Sequence, residues 1–106
     1  MKIYLACPFS SDDPTVRQWR FDSVNVKACE LMANGHIVFS PISHSYPIAL
    51  AGDLPLGWDF WERMDRAFIE WADEVWVLML DGWNESEGIR VEINIAGELG
   101  RPVRYI

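Results

Sequence analysis

The apolar and polar positions of the chain fall into strand-like and helix-like stretches that alternate along its length. Four short, nearly continuous apolar runs read as buried strands: KIYLA (2–6), HIVFS (36–40), EVWVLML (74–80) and PVRYI (102–106). Three helical segments lie between them. The first runs from Pro14 to Asn34 and the second from Trp58 to Ala72. The third occupies SEGIRVEINIAGELG (86–100), with Gly35 and Gly100 as natural C-terminal stops. Strictly alternating strands and helices predict right-handed crossovers in a parallel sheet. Strands that are apolar throughout predict helices on both faces. The expected fold class is α/β, a three-layer sandwich around a parallel sheet of about four strands, in one domain over residues 1–106. SPISHSYPIALAGDLPLG (40–57), rich in proline and glycine, is expected to be the one long irregular connection.

Two helices carry a carboxylate on the wrong side. On a helical wheel of 86–100, Ile89, Val91, Ile93, Ile95, Ala96 and Leu99 share a broad apolar arc, and Glu92 falls near its middle. In WDFWERMDRAFIEWA (58–72), Asp65 sits inside the apolar arc between Ala72 and Trp58. Burying a carboxylate costs several kcal/mol unless it is paired, hydrogen-bonded or protonated. A structural ion pair would account for one of them, but Arg63, Arg66 and Arg90 all point outward on these wheels. Two inward carboxylates on consecutive helices suit a cleft in which burial raises one pKa while a hydrogen-bonded neighbour stays ionised. Such a pair matches chemistry through an oxocarbenium-like centre, one carboxylate at the sugar carbon and one acid at the leaving group.

In a parallel α/β sheet, ligands sit at the carboxyl ends of the strands beside helix N-termini. That edge is formed by CPFSS, SPISHS and DGWNESEG, where hydroxyls, a histidine and a glycine converge. The same loops are also simply good turn formers.

Composition narrows the partners. With 9 basic against 16 acidic side chains the formal charge is −7, which disfavours nucleic acid polymers and anionic membranes. A small anion remains compatible, because a few local donors hold one phosphate. Half the residues are apolar and six are tryptophan, enough for a packed core with apolar surface left over for self-association. Cys7 and Cys29 have no metal-ligand spacing and read as free thiols of a reducing compartment. The N-terminus has no signal-peptide pattern and no stretch is long enough to span a membrane, so a cytoplasmic location is expected. His36 and His44 are too far apart in sequence to form a ligand set, and no metal is expected.

The motifs also resemble a known family. SxGxxxExxxAxxLGRPV (Ser86 to Val103) resembles the C-terminal signature of the nucleoside 2-deoxyribosyltransferase superfamily. IYLACPF (3–9) is similar to its opening strand and loop, and MDRAFIEWADEVWVLMLDGW to its middle helix and third strand. Almost end to end, including GHIVFSPISHSYPIA and LPLGWDFW, the chain resembles a branch of short bacterial and phage proteins, the DUF1937 family. The resemblance implies a flavodoxin-like fold, no cofactor and a homodimer or higher homo-oligomer. It implies that Glu92 attacks C1′ of a nucleoside or nucleotide to form a glycosyl-enzyme intermediate. Asp65 would handle the base and its proton, and the Tyr4 hydroxyl would contact the nucleophile. Ser86 falls where the sugar's 5′ end is met. True transferases carry an aspartate there, whereas serine is similar to the nucleoside 5′-monophosphate hydrolase branch. Transferases also continue beyond the last strand to help complete a neighbouring subunit's site, and this sequence ends at Ile106. Water is then the expected acceptor.

The remaining candidates are substrate contacts. Ser86 and Gly88, at a helix N-terminus, offer hydroxyl and backbone donors to an anion, with Ser10 and Ser11 after the first strand. Arg20 or Arg17 can reach a phosphate, or either can lie along apolar neighbours at the surface. His44 either binds the ligand from its loop or is incidental. Trp83, in DGWNES, either covers the ligand or seals a subunit contact, and Phe9 is placed to stack on a base. Trp58, Trp61, Trp71 and Trp76 are expected in the core. The expected function is N-glycosidic cleavage of a nucleoside or nucleoside 5′-monophosphate. The rival is a nucleotide-binding or sensing module without turnover.

Overall fold

The computed structural model describes residues 1–55 and 57–106. Along the chain come β1 (Lys2–Ala6), α1 (Pro14–Ala33), β2 (Ile37–Phe39), α2 (Pro41–Gly52) and α3 (Trp58–Trp71). They are followed by β3 (Glu74–Val77), a 3₁₀ turn (Trp83–Glu85), α4 (Glu87–Glu98) and β4 (Val103–Tyr105). The strands form one all-parallel sheet in the order β2-β1-β3-β4. This is the flavodoxin-like arrangement, in which the first strand lies inside and the chain builds outward on both sides of it. The expected strands and three expected helices all form, with strand ends trimmed by one to three residues.

Strand side chains alternate between the two faces. Tyr4, Ala6, Val75 and Val77 meet Ile69 and Ala72 at the end of α3 and Ile89, Ile95 and Ala96 of α4. Ile3, Leu5, Cys7, Trp76 and Leu78 cluster with Val24, Ala28 and Leu31 of α1 on the other side. Each fully buried Ile, Leu or Val contributes about 1.5–3 kcal/mol, so the two clusters hold the three layers together. Among the described residues, no helix is long and apolar enough to cross a membrane.

The stretch expected to be irregular is mostly helix. α2 starts where Ser40 accepts a hydrogen bond from the Ser43 amide at 3.3 Å and Pro41 fills the first turn. Proline is well placed there because its missing N–H would have had no intrahelical partner. Pro47 lies inside the helix, where one backbone bond is lost without ending it. Asp53, in the left-handed region at φ 54°, terminates α2. Leu56, which belongs to the same stretch, lies outside the described residues. The difference has a physical reason: proline and glycine resemble loop punctuation in a sequence, but a capped first turn tolerates the one and a helix end the other.

Ser40 is buried, and its oxygen also accepts from the Ser43 hydroxyl at 2.8 Å. Ser40→Ala removes this cap at a cost of about 1 kcal/mol. Thermal unfolding should show a fall of roughly 4–8 °C.

Candidate active site

The two inward carboxylates meet below the carboxyl edge of the sheet. Glu92, on the second turn of α4, is 6% exposed, and Asp65, midway along α3, is 7% exposed. Tyr4, on the central strand β1 and wholly buried, donates its hydroxyl to Glu92 Oε2, with Asp65 close beside the same hydroxyl. Strand alternation turns Tyr4 toward α3 and α4, whose packing brings both acids to one oxygen.

A phenol has one proton to give and two lone pairs to receive with. It can donate to only one carboxylate at a time, and here that proton goes to Glu92. The two acids therefore hold their protons as a coupled pair. Electrostatics agree that the pair resists losing both protons. Burial raises Glu92, opposed by the Tyr4 hydrogen bond and reinforced by Asp65. Burial likewise raises Asp65, again opposed by Tyr4. Tyr4 itself is pushed well above its ordinary value by burial and by both acids, so it remains a donor.

Above the pair opens a cavity of about 620 Å³, within the usual range of small-molecule sites. Glu92 and Asp65 line its floor, and Tyr4 lies beneath them. One end is polar: Ser10, Arg20, Gly82, Glu85, Ser86, Glu87 and Gly88. Ser86 caps α4 by accepting from the Ile89 amide at 3.2 Å, which leaves its hydroxyl proton and the first amides of the helix for a ligand. Glu87 is engaged by Arg90, which holds its carboxyl below the usual range.

Arg20 lines the cavity but is partly committed elsewhere. Its Nη1 donates to the Ser10 carbonyl at 3.0 Å and its Nη2 to the Asp81 carbonyl at 3.1 Å. The side chain thereby ties the loops after β1 and β3 together. Its Nε is buried and, among the described residues, has no partner. Gly82 makes room for it: φ is +87°, and a Cβ there would lie 2.7 Å from Arg20 Nη2. Arg17 instead donates to the Ser11 carbonyl and borders a separate shallow depression.

The rest of the lining is mostly apolar, with Phe9, Ile42, Tyr46, Ala49, Trp58 and Trp61. Phe9 and Tyr46 pack with ring centroids 4.6 Å apart. Tyr46 was not foreseen because α2 was not. Trp58 and Trp61, expected in the core, stand seven and four residues before Asp65, a spacing that puts them on its face of α3.

Two expected contacts lie elsewhere. His44 stands on α2 beside Phe39 and Phe68, at 5.3 and 6.3 Å, outside the cavity lining. The cavity-facing positions of α2 are Pro41, Ile42, Ser45, Tyr46 and Ala49, and residue 44 falls about 200° from Ile42 on that helix. Trp83 is also absent from the lining, because the 3₁₀ turn lays it on the core and against Tyr105, 5.5 Å away. Among the described residues no cluster of three or more His, Cys, Asp or Glu is arranged to hold a metal ion.

Fold and site together define a flavodoxin-like α/β domain with a tyrosine-bridged acid pair under a cavity at the sheet's carboxyl edge. The family model described as "Domain of unknown function (DUF1937)" matches residues 1–106, and the chain belongs to that family. Among solved structures it is similar to the 2-deoxyribosyltransferase of the psychrotolerant bacterium Bacillus psychrosaccharolyticus. Identity is 29% and the TM-score 0.70, over 99% of this chain and 71% of that one. No curated protein matches the chain.

Burial of the acid pair predicts a pH signature. Unfolded carboxyls ionise near pH 4, whereas folding holds the Glu92 proton up to about 8 and the Asp65 proton to about 7. Between those limits the unfolded chain binds fewer protons, so stability falls as pH rises. Glu92→Gln removes the larger share of this loss. Its melting temperature should match wild type near pH 5 and exceed it by several degrees at pH 8.5.

Proposed function

We propose that this protein cleaves the N-glycosidic bond of a nucleoside or nucleoside 5′-monophosphate. The observation that carries the reading is the pair of buried acids bridged by Tyr4 on the cavity floor. In the form of the pair whose proton sits on Asp65, the Glu92 carboxylate attacks C1′ as the C1′–N bond breaks, and the bonding electrons leave with the base. Asp65 gives its proton to the departing base nitrogen. In the second step Asp65, now a carboxylate, takes a proton from water as the water oxygen attacks C1′ and frees Glu92. Tyr4 is a positioning residue, because its hydroxyl selects which acid stays anionic. Ser86, Gly88, Ser10 and Arg20 hold the 5′ end, and Phe9 stacks on the base. The similarity to a 2-deoxyribosyltransferase supports glycosyl chemistry of this kind. Serine at position 86, with the donors around it, supports a 5′-phosphate and hydrolysis. Exposed Trp19, Val26 and Leu50 are consistent with self-association into a homo-oligomer.

Chromatography of reactions with nucleosides, deoxynucleosides and their 5′-monophosphates should show free base. Glu92→Ala should lower the rate more than ~10³-fold and Asp65→Asn by ~10²-fold or more. Tyr4→Phe should cost on the order of tenfold and displace the pH profile. Base exchange without net hydrolysis would identify a transferase. Ligand binding without release of base from any compound would replace cleavage by sensing.

A further inference from the structure

Helix α3 carries more than the acid. Trp58, Trp61 and Asp65 lie at i, i+3 and i+7, all three line the cavity, and so they form one stripe along it. With a rise of 1.5 Å per residue, Trp61 stands about 6 Å and Trp58 about 10 Å from Asp65 along the axis. Both lie toward the N-terminal end of the helix. If Asp65 protonates the leaving nitrogen, the base extends from that nitrogen along the two indoles. Ser86 and Gly88 stand apart from this stripe, at the start of the neighbouring helix α4.

We propose that Trp58 and Trp61 are specificity-determining residues and that the base they select is a fused two-ring base, a purine. This rests on the glycosidic-cleavage reading. The lane is two helical turns long, which suits two fused rings better than one. Its walls stack: the Trp61 indole is fixed by its N–H, which donates to the Pro55 carbonyl at 2.7 Å. Trp58 is braced against the core, and Tyr46 is held between Phe9 and Phe21 at 4.6 and 5.4 Å. Rigid aromatic faces reward stacking area, which is larger for the bicycle. The lane is also poor in polar groups. The Trp61 N–H is spent, and Ser45 and the Tyr46 hydroxyl are the evident partners on the α2 side. Where few polar partners are offered, recognition rests on stacking area, in which the fused bicycle exceeds the single ring.

The test pairs turnover with binding. Base release is measured for purine and pyrimidine nucleosides and their 5′-monophosphates. Free adenine, hypoxanthine, uracil and thymine are titrated against the same protein by tryptophan fluorescence. Purine substrates should show kcat/KM at least tenfold above pyrimidine ones, and only purine bases should quench. Trp61→Leu keeps an apolar side chain but removes the stacking face. It should cut purine kcat/KM roughly tenfold, chiefly through KM, and shrink the purine advantage; Trp58→Leu provides the same readout should that variant fail to fold. Equal or greater turnover of pyrimidines overturns the inference and leaves glycosidic cleavage standing. Purine-selective quenching without base release supports the lane and removes the cleavage reading. Neither release nor quenching overturns both.

Discussion

The hydroxyl of Tyr4 is the hinge of this structure. It lies at the centre of the sheet, wholly buried, and two carboxylates from different helices converge on it. Removing two carboxylates from water is among the most expensive acts available to a small core. The cost is bearable because one phenol proton and one shared carboxyl proton satisfy the trio. α3 and α4 must therefore pack side by side over β1, and they do so with Ile69, Ile89, Ile95 and Ala96 around the polar centre. The apolar cluster and the acid pair are two aspects of one packing arrangement.

The same constraint separates the cavity into two chemistries. Glu92 belongs to the helix whose N-terminus supplies hydroxyl and amide donors, so the polar end grows from α4. Asp65 belongs to a helix whose next turns present indoles, so the apolar end grows from α3. The acids stand where the two parts of the lining join. Arg20 ties the polar wall together, since it binds carbonyls of both flanking loops. Gly82 is glycine because the guanidinium needs the space.

Much of this was legible in sequence. Glu92 and Asp65 betrayed themselves by interrupting apolar arcs, and the family resemblance tied Tyr4 to them. Phe9, Ser10, Arg20, Ser86 and Gly88 do line the cavity. His44 and Trp83 do not, and both misplacements come from local geometry. A helix formed where a loop was expected and turned His44 away from the ligand. A tight turn swung Trp83 onto the sheet. Tyr46 and the two α3 tryptophans were missed for the converse reason: an aromatic ring at helical spacing reads as core until the wall opposite is known to be empty.

By itself the sequence determined the α/β class, the strands, three of the four helices, and the two acids out of place. Those features are local or periodic, set by which side chains recur on one face and by which residues start or stop a helix. Tertiary structure alone decided that both acids meet at a single hydroxyl, that α2 walls the cavity, and that the indoles face it. These depend on which surfaces meet across the sheet, and sequence separation carries no record of that distance. Tyr4 and Glu92 stand 88 residues apart in the chain and within one hydrogen bond in space.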